Sequence, residues 1–219
     1  MTFFLNKKGK SSFNLSVNLT LILLNVALFI IFTILLETGV LEIQRIAITP
    51  SDILDGKNVW TFLTSMFMHG GIFHLFVNMM SLFFFGSLTE KILGPKRYLG
   101  FYLIAGIFAS VFFVVSAFIF PDLMNTPAVG ASGALFGVVG LLILLTPNLP
   151  VYAMFIPIPI KLKYAGPGLL ALLWLISLGA DINIGNTAHL GGLLAGLAYG
   201  VYLRINYRNK VRAISRHFS

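Results

Sequence analysis

Gly130-Ala131-Ser132-Gly133-Ala134-Leu135-Phe136-Gly137 opens an apolar run that continues without a charge through Leu145. One hydroxyl stands among glycines and alanines, at the start of what has to be a membrane-embedded helix. A second stretch, Ala188-His189-Leu190-Gly191-Gly192, opens another apolar run in the same manner. Whether these two helix openings meet decides how the whole chain is organised.

The surrounding composition fixes the solvent. Of 219 residues, 58% are hydrophobic and 10% charged, with a mean hydropathy of +0.93. A soluble domain carries about 25% charged residues, so this is an all-α polytopic membrane protein. There is no cysteine, which removes thiolate nucleophiles, disulfides and Cys-based metal sites. The net charge of +8 is explained by membrane topology, and no nucleic-acid partner is expected.

Six apolar segments can be marked, at about 17–37, 71–90, 97–120, 130–146, 167–182 and 187–206. The first follows Lys7, Lys8 and Lys10 and is too long for a cleavable signal, so it reads as a retained span. The connection 38–70 is too apolar for a free loop and is expected to rest partly in the interface, with Trp60 as an anchor at headgroup level. Three parts follow: a cytoplasmic segment 1–16, a six-span domain 17–206 and a basic cytoplasmic tail 207–219.

Charge sets the orientation. With six spans, all basic residues except Arg45 and Lys57 fall on one side. The positive-inside rule then puts both termini in the cytoplasm, and the tail after Arg204 would lie near anionic lipid. Spans two, four and six all descend from the outer face. His74 and Asn78, Ser132 and His189, each near the start of its span, are therefore expected at one level. Span four is only about 24 Å long at 1.5 Å per residue, short of a hydrocarbon core of about 30 Å. It should begin below the outer surface, with the connection 121–129 dipping in to meet it around a cavity.

Ser132 on its own would be a small packing residue or a helix cap. A catalytic reading needs a base. His189 is a candidate, since a histidine inside a span is costly unless it faces a cavity or a partner. Gly192, Gly196 and Gly200 make one smooth face on its helix, and Gly133 and Gly137 have the same spacing on span four. The two helices are expected to pack backbone to backbone and bring the hydroxyl to the imidazole. His74 and Asn78, four apart, share a helical face. They could glue helices together or donate to a developing oxyanion. His69 and His74 raise the question of a metal, but a spacing of five leaves one helical face and no carboxylate accompanies them. The oxyanion reading is preferred, and neither metal nor cofactor is expected.

Taken together, His69, His74, Asn78, Gly130-Ala131-Ser132-Gly133 and Ala188-His189 with Gly192 and Gly196 resemble a rhomboid intramembrane serine protease of the minimal six-helix form. That resemblance implies a six-transmembrane-helix bundle and a Ser132–His189 dyad without an acidic member. It also implies an oxyanion site formed by the Ser132 N–H, His74 and Asn78. Gly130, Gly133, His69 and Phe136 would be supporting residues. Phe136 matches a position where many relatives carry a tyrosine stacked on the catalytic histidine, and Glu90 matches a carboxylate of structural role. Where relatives often carry Trp-Arg in the first long loop, this chain has Trp60-Thr61.

The implied partners are single-span or multi-span membrane proteins, cut within their transmembrane helices near the outer leaflet. Span five, with Gly166, Pro167, Gly168 and Gly179, and the loop Asp181 to Asn186 would form a movable side entrance. The bare six-span chain favours a prokaryotic cell membrane. Two other classes compete: a catalytically inactive rhomboid-like protein that binds membrane helices, and a small transporter. The transporter would call for internal repeats or mid-span charges, and neither is found.

Overall fold

The computed structural model describes residues 15–152, 158–180 and 185–218. Lys7, Lys8 and Lys10, and most of the loop after span five, lie outside the described residues. Each of the six apolar segments forms a helix within its described residues, and the centre of the bundle is made from the least span-like of them.

The first helix, α1 (Val17–Glu37), starts at Ser16, whose side chain accepts the Leu19 N–H. Its only buried residues, Asn18, Leu21 and Asn25, lie on one stripe. The connection that follows is a folded unit. It contains α2 (Pro50–Leu54) and α3 (Thr61–Thr64), with Ile46, Ala47 and Ile48 buried. Trp60 is half exposed, and its indole nitrogen donates to the Arg45 carbonyl at 2.9 Å. The Thr64 hydroxyl donates to the Ile46 carbonyl at 3.1 Å. The loop is thus pinned without an arginine after the tryptophan.

The second span is broken. It runs as α4 (Ile72–Ser81), a π turn (Leu82–Gly86) and α5 (Ser87–Leu93). Gly94, at φ 81°, reverses the chain into α6 (Pro95–Ser116), which ends four residues short of the expected 120. The connection 121–129 is tied to the first one, since Ile48 and Ala128 form an antiparallel bridge. There follow α7 (Ser132–Leu145), a two-residue ribbon of β1 (Pro150–Val151) and β2 (Ile160–Lys161), and α8 (Leu162–Ala180). Then come α9 (Asn186–Asn206) and α10 (Arg208–His217). The fifth span starts earlier than expected, with Pro167 inside the helix. Its first N–H groups have partners outside the helix, since Leu162 donates to the Leu149 carbonyl and Lys163 to that of Pro147. The basic tail is not a free segment, because Val211 is buried and Ile214 packs on the core.

Among the described residues, α1, Ile72–Leu93, α6 and α8 are long and apolar enough to cross a bilayer by themselves. The helices α7 and α9 are not among them. The first has 14 residues, and the second carries Asn186, Thr187, His189 and Arg204 as well as its glycines. These two are the centre of the bundle. Most of α7 is buried all round. A Cβ on Gly192 would run into the Gly133 carbonyl, and one on Gly196 into the Gly137 carbonyl. On the neighbouring side, a Cβ on Gly133 would stand 2.8 Å from that of Ala109, and one on Gly137 2.6 Å from that of Ala105. Three helices therefore meet at backbone distance.

Candidate active site

That close approach positions the two stretches from which the sequence was read. Ser132 is the first residue of α7 and His189 lies in the first turn of α9. The Ser132 hydroxyl and His189 Nε2 are 2.7 Å apart. For Nε2 to accept the serine proton, the ring proton must sit on Nδ1. Nδ1 is buried and has no hydrogen-bonding partner among the described residues. The ring is held by packing instead. Phe136, one turn below Ser132 on the same face of α7, stacks on His189 with centroids 4.6 Å apart and planes inclined by 23°.

Gly130 explains why the loop before Ser132 needs its glycine. It takes φ +127°, and a Cβ there would lie 2.8–2.9 Å from the His74 ring. Its N–H donates to the Ser65 carbonyl at 2.8 Å, which ties the loop to the end of the first connection. Because α7 begins at Ser132, the N–H groups of its first turn have no partner within the helix and point out of its N-terminal end.

His74 sits on the same side. Its Nδ1 accepts the Gly70 N–H at 3.3 Å, so Nε2 carries the proton and is a donor. One turn on, the Asn78 side-chain nitrogen donates to the His74 carbonyl at 2.8 Å. An amide nitrogen has two hydrogens, so a second donor remains. Ser132, His74, Asn78 and His189 all line one cavity of about 460 Å³. Its walls are Val77 and Ser81 from the second span and Leu169 and Leu173 from α8. A smaller hollow of about 50 Å³, with Ser65 and Ser110 in its lining, also touches Ser132 and His189. It is large enough for water. Neither serine has a sequence signal that singles it out.

His69 does not line either cavity. It is fully buried, edge-on to His74 at 5.1 Å and to Phe29 at 6.4 Å, and so backs the His74 ring. No group of three metal-ligand residues occurs among the described residues. Glu90 lies elsewhere. Its two carboxylate oxygens accept the Val17 and Asn18 N–H groups at 2.9 Å each, capping the start of α1 from another helix.

The fold and site define a polytopic helical membrane protein built around an enclosed serine–histidine pair. The Rhomboid domain matches residues 56–206, and the chain belongs to the rhomboid family. It is 35% identical over 157 residues to RHOMBOID-like protein 6, mitochondrial, of Arabidopsis thaliana, covering 69% of this chain and 46% of that one. It is 34% identical over 140 residues to Rhomboid protease GluP of Bacillus subtilis, covering 63% and 24%. It is also 35% identical over 88 residues to Inactive RHOMBOID-like protein 8 of Arabidopsis thaliana, covering 40% and 23%. The chain thus spans less than half the length of these relatives, and the family holds proteins named as a protease and as inactive.

Proposed function

We infer that the chain is a serine endopeptidase that cleaves transmembrane segments of other membrane proteins. The observation that carries this reading is the 2.7 Å contact between Ser132 and His189 at the wall of a cavity. Ser132 Oγ attacks the scissile carbonyl while His189 Nε2 takes its proton. The negative charge that develops on the carbonyl oxygen is met by the Ser132 N–H, His74 Nε2–H and Asn78 Nδ2–H. His189 returns the proton to the leaving amine, and the C–N bond breaks. Water then adds to the acyl-enzyme, His189 again acting as base, and releases the acid and free Ser132.

The substrate is a single-span or multi-span membrane protein. It enters between the second span and α8, whose side chains both line the cavity. A helical amide must unwind before attack, so segments with glycine or proline are favoured. Both termini are cytoplasmic and the dyad lies toward the outer leaflet, because with six spans all basic residues except Arg45 and Lys57 fall on the other side. Relatives with mitochondrial names weigh against confining the protein to prokaryotic cell membranes.

The competing reading is a helix-binding protein without turnover, motivated by the similarity to an inactive relative. Purified protein incubated with a membrane-spanning test substrate separates the two. Cleavage is expected from the native chain and none from Ser132→Ala, with a fluorophosphonate adduct on Ser132. An unmodified Ser132 and an uncut substrate would reject the protease reading.

A further inference from the structure

The break in the second span is gripped from two other helices. A π turn is a rare insertion that re-aims one half of a helix relative to the other. The half before the turn, Ile72–Ser81, bears His74 and Asn78. The half after it is tied to α1 through Glu90. At the turn itself, the side-chain nitrogen of Asn18, on α1, donates to the Leu82 carbonyl at 2.8 Å and to the Ser87 hydroxyl at 3.0 Å. The Asn18 oxygen accepts from the Tyr98 hydroxyl of α6 at 2.6 Å. Gly86 makes the space, since a Cβ there would overlap the Asn18 side chain and stand 2.6 Å from the Tyr98 oxygen.

This network is enclosed: Asn18 is 1% exposed, Leu82 and Tyr98 not at all. Polar groups sealed away from water are expensive unless satisfied, so a network that satisfies them holds one arrangement in preference to others. The half of the span that it aims packs on the core through Leu75 and Met79 but leaves its outer face open. Ile72 and Phe73 are 78% and 70% exposed, and Phe76 is 51% exposed.

We propose that Asn18, backed by the Tyr98 hydroxyl, is a positioning residue that fixes the angle of the second span at the Leu82–Gly86 turn. It thereby holds His74 and Asn78 against Ser132 and sets the width of the cavity between the second span and α8. The kinetic consequence rests on the protease reading; the geometric one does not.

The chain has no cysteine, so nitroxide labels can be placed cleanly on Phe76→Cys and Leu172→Cys, both exposed. Pulsed EPR in liposomes then reads the distance between the second span and α8. With Asn18→Leu the distance distribution is expected to shift and broaden, and kcat on a membrane-spanning substrate to fall about 10- to 100-fold with KM little changed. Tyr98→Phe, which removes one oxygen and keeps the ring, should move both readouts in the same direction by less, and it serves if Asn18→Leu does not fold. Unchanged distance distributions in the folded variants would overturn the proposal. So would lowered thermal stability with kcat intact, which marks a merely structural role. If native Ser132 takes no fluorophosphonate, the protease reading fails and the EPR distances alone judge the hinge.

Discussion

The two sides of the cavity are built on opposite principles. On one side α6, α7 and α9 meet through glycines and alanines, so closely that added side chains would overlap backbone. On the other, α4 and α8 expose most of their surface, and α8 buries only Leu162, Gly166 and Leu170. The hydroxyl and the imidazole both belong to the tight side, one from α7 and one from α9. His74 and Asn78 belong to the loose side. A rigid pair facing a yielding wall is what a site needs if it must hold a geometry fixed and still admit a helix from the lipid.

The contrast is broken most directly from the tight side. Gly196→Leu would push a side chain into the Gly137 carbonyl and the Leu141 N–H, where neither backbone can yield. Loss of the folded bundle is expected, read as loss of a thermal unfolding transition in detergent. A folded variant that still labels at Ser132 would mean that α7 and α9 do not need backbone contact.

The loose side is tested by removing its freedom. Val77 of the second span and Leu169 of α8 both line the cavity. Joining Val77→Cys to Leu169→Cys with a bifunctional maleimide should stop cleavage of a membrane-spanning substrate. Fluorophosphonate labelling of Ser132 should continue, because the small probe needs no opening between helices. Unchanged cleavage after complete cross-linking would remove the side entrance. A smaller effect is expected from Asn78→Ala, which deletes one donor of three and leaves the dyad in place. Cleavage should slow about 100-fold, mostly in kcat, while Asn78→Ala protein still reacts with the probe.

Reading the sequence reached the tight side much better than the loose one. Glycines spaced by four on two helices state a close approach directly, and a serine and a histidine at equivalent depths followed from the charge pattern. The Phe136 stack and the Glu90 cap lay at positions marked by family resemblance, although the cap's partners, the N–H groups of Val17 and Asn18, did not. The π turn left no trace, because Leu82–Gly86 is as apolar as the helix around it and its cause lies on other helices. Asn18 was hidden for the same reason: a lone amide in an apolar run gives no hint of a partner 64 residues away. The apolar pattern starts the fifth span only at about 167, whereas α8 starts at Leu162. The carbonyls of Pro147 and Leu149, which accept the first N–H groups of α8 and so let the helix begin earlier, are invisible to local pattern. In 207–219 the basic residues masked Val211 and Ile214, whose spacing of three puts them on one helical face and makes α10 part of the fold.

The smallest effect is also the sharpest check on what covers the loose wall. Leu175 on α8 is 67% exposed and points to where lipid chains would lie. Lipid tails are as apolar as leucine, so a helix face turned to them gains little from its side chains. Leu175→Ala should therefore change stability by no more than about 0.5 kcal/mol, measured as the unfolding midpoint in detergent. The same truncation at Leu141, fully enclosed on α7, should cost about 2–5 kcal/mol, because it leaves a cavity among residues that cannot collapse. If the two truncations cost the same, α8 is held by packing as tight as that around α7, and the distinction between a fixed side and a yielding one falls with it.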